Sequence, residues 1–283
     1  PRSTLFPYTT LFRSPMEALD RIEASIRKNF HTGWRSEDKF TKEAYQEDLT
    51  DHLINRLEND RQRIIPWLAA SFPLKGKNIL EIGCGTGAST IALAEQGAIV
   101  TGVDLDEGAM LVAKDRAKEY NLQIEFEISN ATEVHTKFAG KEFDCIIFFA
   151  TLEHMTHQER MIAVKETWNM LKPGGFWIVI ETPNRLWFFD GHTSYMPFFQ
   201  WLPDDLAILY SKFSPRIEFA NEFKLADEDK MLHFLRHGRG MSYHEFDLCM
   251  GNSMGLNVVS SKVKFEKYEW LKFPKIERQF KAF

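Results

Sequence analysis

The chain has 283 residues, 44 % of them hydrophobic and 27 % charged, with a formal charge of −5, the mix of a globular protein with room for a sizeable core. No uncharged run approaches the ~18 apolar residues of a transmembrane helix, and the small acidic excess argues against general binding to a nucleic-acid backbone. Three cysteines without metal-ligand spacing, Cys84, Cys145 and Cys249, read as the reduced thiols of a cytoplasmic protein.

The first fourteen residues, PRSTLFPYTTLFRS, read codon by codon as a translated sequencing adapter and lack the apolar stretch of a signal peptide. That reading implies a metagenomic origin and leaves both ends of the chain open. From 15 to 75 the sequence predicts a helical segment, with Leu53, Ile54, Leu57, Ile64 and Ile65 at helical spacing. From 76 to 182 the pattern is strand and helix in alternation. KNILEI, AIVTGVDL, IEFEIS, FDCIIFFA and GFWIVIE read as strands, and the runs from Ala88, Gly108 and His157 as helices. This predicts an α/β fold with a Rossmann-like, doubly wound, mostly parallel sheet.

The stretch 183–241 breaks the rhythm with dense aromatics and reads as an inserted cap, in which Phe198, Trp201 and Phe213 are expected to form the cap's own core. A capping box at Ser242 and Glu245 then opens a helix to about Met250, and LNVVSSKVKF reads as a strand. Residues 242–283 are thus expected to end the core fold, truncated if no further strand follows.

Between the first strand and first helix stands Glu81-Ile82-Gly83-Cys84-Gly85-Thr86-Gly87, where glycines allow a tight turn and close backbone approach to a ligand. Asp104 ends the second strand, where a carboxylate can accept from ribose hydroxyls. Because Ala88 follows the glycines, the dinucleotide pattern is also met, so a nicotinamide-dependent oxidoreductase stays in view. Cys84 reads as a small filler and not as a nucleophile.

Taken together, ILEIGCGTG, GVDLDEGAM, ISNAT, FDCIIFFATLEHM and LKPGGFWIVIETPNR resemble, in order and spacing, the class I S-adenosylmethionine-dependent methyltransferases. The resemblance implies S-adenosylmethionine as cofactor. It places Glu81 near the methionyl amino group, Gly83, Cys84, Gly85, Thr86 and Gly87 along the methionine and ribose portions, Asp104 with Leu105 at the ribose, and Asn130 with Ala131 at the adenine. Asn130 stands where the family often has Asp.

Methyl transfer is an in-line displacement, so alignment and exclusion of water come first and a base is needed only for a weakly acidic acceptor. His154, just beyond the fourth strand, is the first candidate base, and His192 and Tyr195 in the cap are expected to face the acceptor. Glu181 is weighed as an ion-pair partner of Arg185. His154, His157 and His192 lack a matching carboxylate cluster, so no metal is expected. The reading is a methyltransferase acting at oxygen on a small-molecule, sugar or lipid-linked acceptor. The alternatives are a noncatalytic S-adenosylmethionine-binding protein and the oxidoreductase. Peripheral membrane contact and the oligomeric state stay open.

Overall fold

The computed structural model describes residues 16–224, 228–252 and 255–259. Five strands form one sheet: β1 (Asn78–Ile82), β2 (Ile99–Asp104), β3 (Glu125–Ile128), β4 (Phe143–Phe149) and β5 (Leu171–Ile180). Their order is β3-β2-β1-β4-β5, and every pairing is parallel. The fold is therefore the Rossmann-like α/β sheet expected from the alternating pattern.

Both faces of this sheet are covered, which is why its strands read as continuous apolar runs. Successive side chains point to opposite faces. Ile79, Cys145 and Ile147 join one core cluster with Ile91, Met110 and Ala113, while Leu80, Ile146 and Phe148 join the other with Leu152, Ala163 and Val164. The helix Glu107–Glu119 starts from an Asp106 cap, and the helix His157–Asn169 from a Thr156–Glu159 capping box.

Before the sheet, the chain is helical over 16–30 and 42–69, with single π turns at Ile26–Phe30, Asp51–Asn55 and Asp60–Ile64. Ile22, Ile26, Phe30, Leu49 and Leu53 pack on Ala109 and Val112 of the helix Glu107–Glu119. This layer thereby covers the glycine loop.

After β5, the short helices Asp204–Tyr210, Ile217–Glu222 and Met231–Arg236 enclose a separate apolar cluster of Met196, Phe199, Ala207, Ile208, Phe219, Phe223 and Phe234. The expectation for Phe198, Trp201 and Phe213 is corrected here, since they are 50 %, 52 % and 66 % exposed. Phe199 and its partners take the interior, while the backbone at Phe198 is left-handed and its ring is exposed.

Two buried arginines fasten this region to the sheet. Arg239 donates to the carbonyls of Phe199 and Leu202 and to Asp204, while Arg160 reaches the carbonyls of Leu152, Arg239 and Gly240 and the carboxylate of Glu245. The helix Tyr243–Met250 begins with the expected capping box. Of the LNVVSSKVKF segment, Leu256–Val259 is not strand, and the rest lies outside the described residues, as do Pro1–Ser14.

Candidate active site

The strand order reverses between β1 and β4, and at such a switch point the carboxyl ends of neighbouring strands leave a crevice. The glycine loop leaves β1 there, with Gly83, Gly85 and Gly87 all at positive φ. A Cβ on Gly83 would overlap the Thr151 hydroxyl, and one on Gly87 would lie 2.9 Å from the Ala113 Cβ. Gly85 faces open space. Two of the glycines let the loop sit against its neighbours, and the third leaves it open to a ligand.

The loop is held from both sides. The amides of Gly83 and Cys84 donate to the Val103 carbonyl at 2.8 and 3.1 Å, and the Gly85 amide donates to Asp104 Oδ2 at 2.8 Å. Asp104 Oδ1 accepts the Asp106 amide at 2.9 Å. The fully buried Arg116 donates to the carbonyls of Thr86, His52 and Leu53, tying the N-terminal helical layer to the loop, and burial pulls its guanidinium down to about 10. The Thr86 hydroxyl lies 3.3 Å from His52 Nδ1. Burial, with the charges of Arg56, His31 and Arg116, pulls His52 down to about 2, so this imidazole is neutral.

Cys84 is buried against Met110, 3.5 Å from Sγ to Sδ, and burial with the nearby Glu81 and Asp104 charges pushes its thiol well above the ordinary range. It is no nucleophile. Leu105 is 60 % exposed beside Asp104. Asn130 Oδ1 accepts from the Thr132 amide and hydroxyl at 3.0 and 2.9 Å, and Ala131 is buried.

Behind the loop lies a group of acids. Glu81 is fully buried: Oε1 accepts from the Ser89 hydroxyl, and Oε2 has no hydrogen-bond partner. Burial pushes its carboxyl up to about 7, against the Ser89 and Thr90 hydroxyls. Asp60, from a π turn of the N-terminal layer, is 3 % exposed and is pushed up to about 8 by burial and by the charges of Glu81 and Glu181. Glu181 is raised by burial too. Asp60 and Ser89 line one small cavity with Phe149 and Ile180. Carboxyl groups gathered in a dry place carry protons until a cation arrives.

A second group forms where β4 and β5 end, at Ala150 and Glu181, both in left-handed backbone. Glu153 is fully buried: Oε2 accepts the Thr182 hydroxyl at 2.7 Å, while Oε1 has no hydrogen bond and lies 3.8 Å from His154 Nε2 and 3.9 Å from His192 Nε2. His154 Nδ1 lies 2.7 Å from the Arg236 carbonyl, which can only accept. Nδ1 is therefore the donor of this pair, and Nε2 is the ring nitrogen turned toward Glu153. His192 is placed by Asp190, which accepts the amides of His192, Thr193 and Ser194. Burial pulls the His192 imidazole below its ordinary range, and Glu153 opposes that shift.

The fold thus brings His154 and His192 together around Glu153, whose part the sequence reading missed. A carboxylate flanked by two histidines is also a group that could hold a cation, which corrects the premise that no carboxylate accompanies them. His157 belongs elsewhere, with its ring between Arg185 and Glu245. Arg185 accordingly pairs with His157 and not with Glu181. Tyr195, 47 % exposed and at φ 53°, faces the Arg216 guanidinium at 5.2 Å. Asp60, His52 and Arg116 were also missed. No local signal singles out Asp60 or Arg116, which stand among other charged residues in Glu58-Asn59-Asp60-Arg61 and Lys114-Asp115-Arg116, and His52 differs only as a polar residue before Leu53 and Ile54.

A family profile described as a methyltransferase domain matches residues 79–175, the span of the glycine loop, Asp104, Asn130 and the Glu153–His154 turn. That span is similar to a methyltransferase domain. Among curated proteins, the ubiquinone biosynthesis O-methyltransferase of Coxiella burnetii is 40 % identical over 134 residues, 47 % of this chain and 53 % of that protein. The protein of the same name from Thiobacillus denitrificans is 34 % identical over 134 residues, again 47 % and 53 %. The chain thus matches about half the length of these relatives. Among solved structures, the PH0226 protein of Pyrococcus horikoshii is 28 % identical, with a TM-score of 0.42 over 48 % of this chain and 65 % of that one. Within the matched span the strands carry the loop, and the layers before and after it supply Asp60, His52 and His192.

Proposed function

We propose that the chain is an S-adenosylmethionine-dependent methyltransferase that acts at oxygen on a small acceptor. The observation that carries this reading is the buried Glu81 carboxylate with one oxygen unpartnered, near Asp60 and on the strand that leads into the glycine loop, whose Gly85 faces open space. Buried acids of this kind suit the cationic methionyl end of S-adenosylmethionine, because a neighbouring positive charge favours their ionised form. Asp104 would accept from the ribose and Asn130 would meet the adenine. When bound, the cofactor supplies an electrophilic methyl group on a sulfonium.

The rest of the chemistry falls to this chain's own side chains. His154 Nε2 takes the acceptor's proton, the Arg236 carbonyl fixes the tautomer, and the Glu153 carboxylate steadies the imidazolium that forms. His192 lines the same group and orients the acceptor, and Tyr195 stands at the rim. The relatives' name supports an oxygen acceptor of the ubiquinone-precursor kind. Calorimetry with S-adenosylmethionine and its demethylated product, followed by turnover with hydroxylated aromatic acceptors, tests the reading. His154→Ala is expected to lower turnover steeply and keep cofactor affinity. Cofactor binding without turnover on any acceptor would instead favour a noncatalytic binding protein.

The acceptor side also presents an apolar surface. Trp187, Phe188, Phe189, Phe198 and Trp201 are each at least 40 % exposed and follow one another at ring separations of 5.0 to 6.5 Å. No described helix is long and apolar enough to cross a membrane. A continuous exposed patch of this kind supports peripheral contact with a lipid surface, from which a lipid-linked acceptor would enter. Flotation with liposomes tests this, and Trp187→Ser with Trp201→Ser is expected to abolish it.

A further inference from the structure

Away from the methyltransferase crevice, the region after β5 gathers a second set of potential ligand atoms. His233 and His237 stand four residues apart at the end of the helix Met231–Arg236, on one helical face, opposite Glu222 at the end of the helix Ile217–Glu222. The two imidazole Nε2 atoms are 3.3 Å apart. His237 Nε2 lies 3.2 Å from Glu222 Oε2, and His233 Nε2 is within hydrogen-bonding distance of Glu222 Oε1.

We infer that Glu222, His233 and His237 form a divalent transition-metal site, with zinc as the ion that fits their donor set. Two imidazoles and one carboxylate match the ligands zinc takes, with the two histidines at i, i+4. Donors about 2.0–2.1 Å from a tetrahedral zinc stand ~3.3 Å from one another, which is the spacing of these nitrogens and of His237 from Glu222. The ring of His237 is held edge-on against Phe223 and Phe219, with centroids 5.2 and 5.7 Å apart, so its orientation is set before an ion arrives. Side-chain exposures of 59 % for His233, 38 % for Glu222 and 33 % for His237 leave room for water to complete the shell.

The site has a structural consequence for the crevice. Arg236, between the two histidines, lends its carbonyl to His154, and the carbonyl of Gly238 accepts the Thr193 hydroxyl next to His192. An ion bridging two helices here would hold the turn that positions both crevice histidines. It is a positioning element and touches no reacting atom.

The test uses the full chain without a histidine tag, dialysed against zinc chloride and then against metal-free buffer, with bound metal measured by mass spectrometry. One zinc per chain is expected, together with a rise of several degrees in Tm. His233→Ala, a change at an exposed side chain, and Glu222→Gln are each expected to lose both the zinc and the Tm rise, while His192→Ala keeps them. Absence of retained zinc in the wild type would overturn the inference. So would zinc that survives in both His233→Ala and Glu222→Gln, or zinc that is lost in His192→Ala, which would place the ion at Glu153.

Discussion

The Asp104 carboxylate accepts the Gly85 amide at 2.8 Å, so the acid that ends β2 also shapes the loop that follows β1. Asp104→Ala is therefore expected to act twice. Loss of charge-assisted ribose contacts worth about 1.5–3 kcal/mol weakens S-adenosylmethionine roughly 10- to 150-fold, and the freed Gly85 and Asp106 amides lower Tm. Asp104→Asn keeps an acceptor and should fall between. Calorimetry and thermal unfolding read the two effects separately, and unchanged affinity would remove Asp104 from the site.

The loop glycines should separate by what each faces. Gly83→Ala drives a methyl into the Thr151 hydroxyl and is expected to cost about 2 kcal/mol or more in urea unfolding. Gly85→Ala meets no protein atom within 4 Å, so its stability loss should stay near the ~1 kcal/mol of a left-handed residue while cofactor affinity falls. Equal stability losses in the two variants would contradict this division.

Asp60 makes a pH prediction. Its carboxyl is raised from 3.8 to about 8, so between those values the folded protein holds a proton that the unfolded chain releases. The associated stability is present below about pH 4 and is lost as pH rises through 8. Asp60→Asn, which cannot ionise, should gain in Tm over the wild type as pH rises from 5 to 8. A saturating cationic cofactor should shrink that gain, and a difference that does not vary with pH would refute the raised carboxyl.

At the crevice, Glu153→Gln keeps an acceptor for Thr182 and removes the charge facing His154 and His192. His154→Ala is expected to lower kcat by about 10²–10⁴, Glu153→Gln by less, and the double variant by no more than His154→Ala alone, because the two act as one unit. Additive losses in the cycle would show that Glu153 acts elsewhere.

Arg116→Met would leave the carbonyls of Thr86, His52 and Leu53 without their buried donor. Each unsatisfied acceptor costs about 1–3 kcal/mol, so chemical denaturation should show a loss of at least ~3 kcal/mol. Because the guanidinium joins the N-terminal layer to the loop, cofactor affinity should fall with it.

What the sequence determined by itself was local. Strand and helix alternation, the Gly83–Gly87 turn, the Asp104 strand end and the Ser242–Glu245 capping box are written in spacings of a few residues, and each follows from backbone preference and hydrophobic period. The parallel sheet follows from those elements in order. Only the tertiary structure decided which charges meet. Asp60 reaches Glu81 because a π turn in a distant helical layer folds over the loop, and His192 reaches Glu153 because Arg160 and Arg239 draw the chain after β5 back onto the turn following β4. Phe198 and Phe199 are adjacent aromatics with opposite fates, one outward and one in the core, since burial depends on a backbone turn that composition does not encode. Contacts across many tens of residues are set by sheet register and packing, and no local spacing carries them.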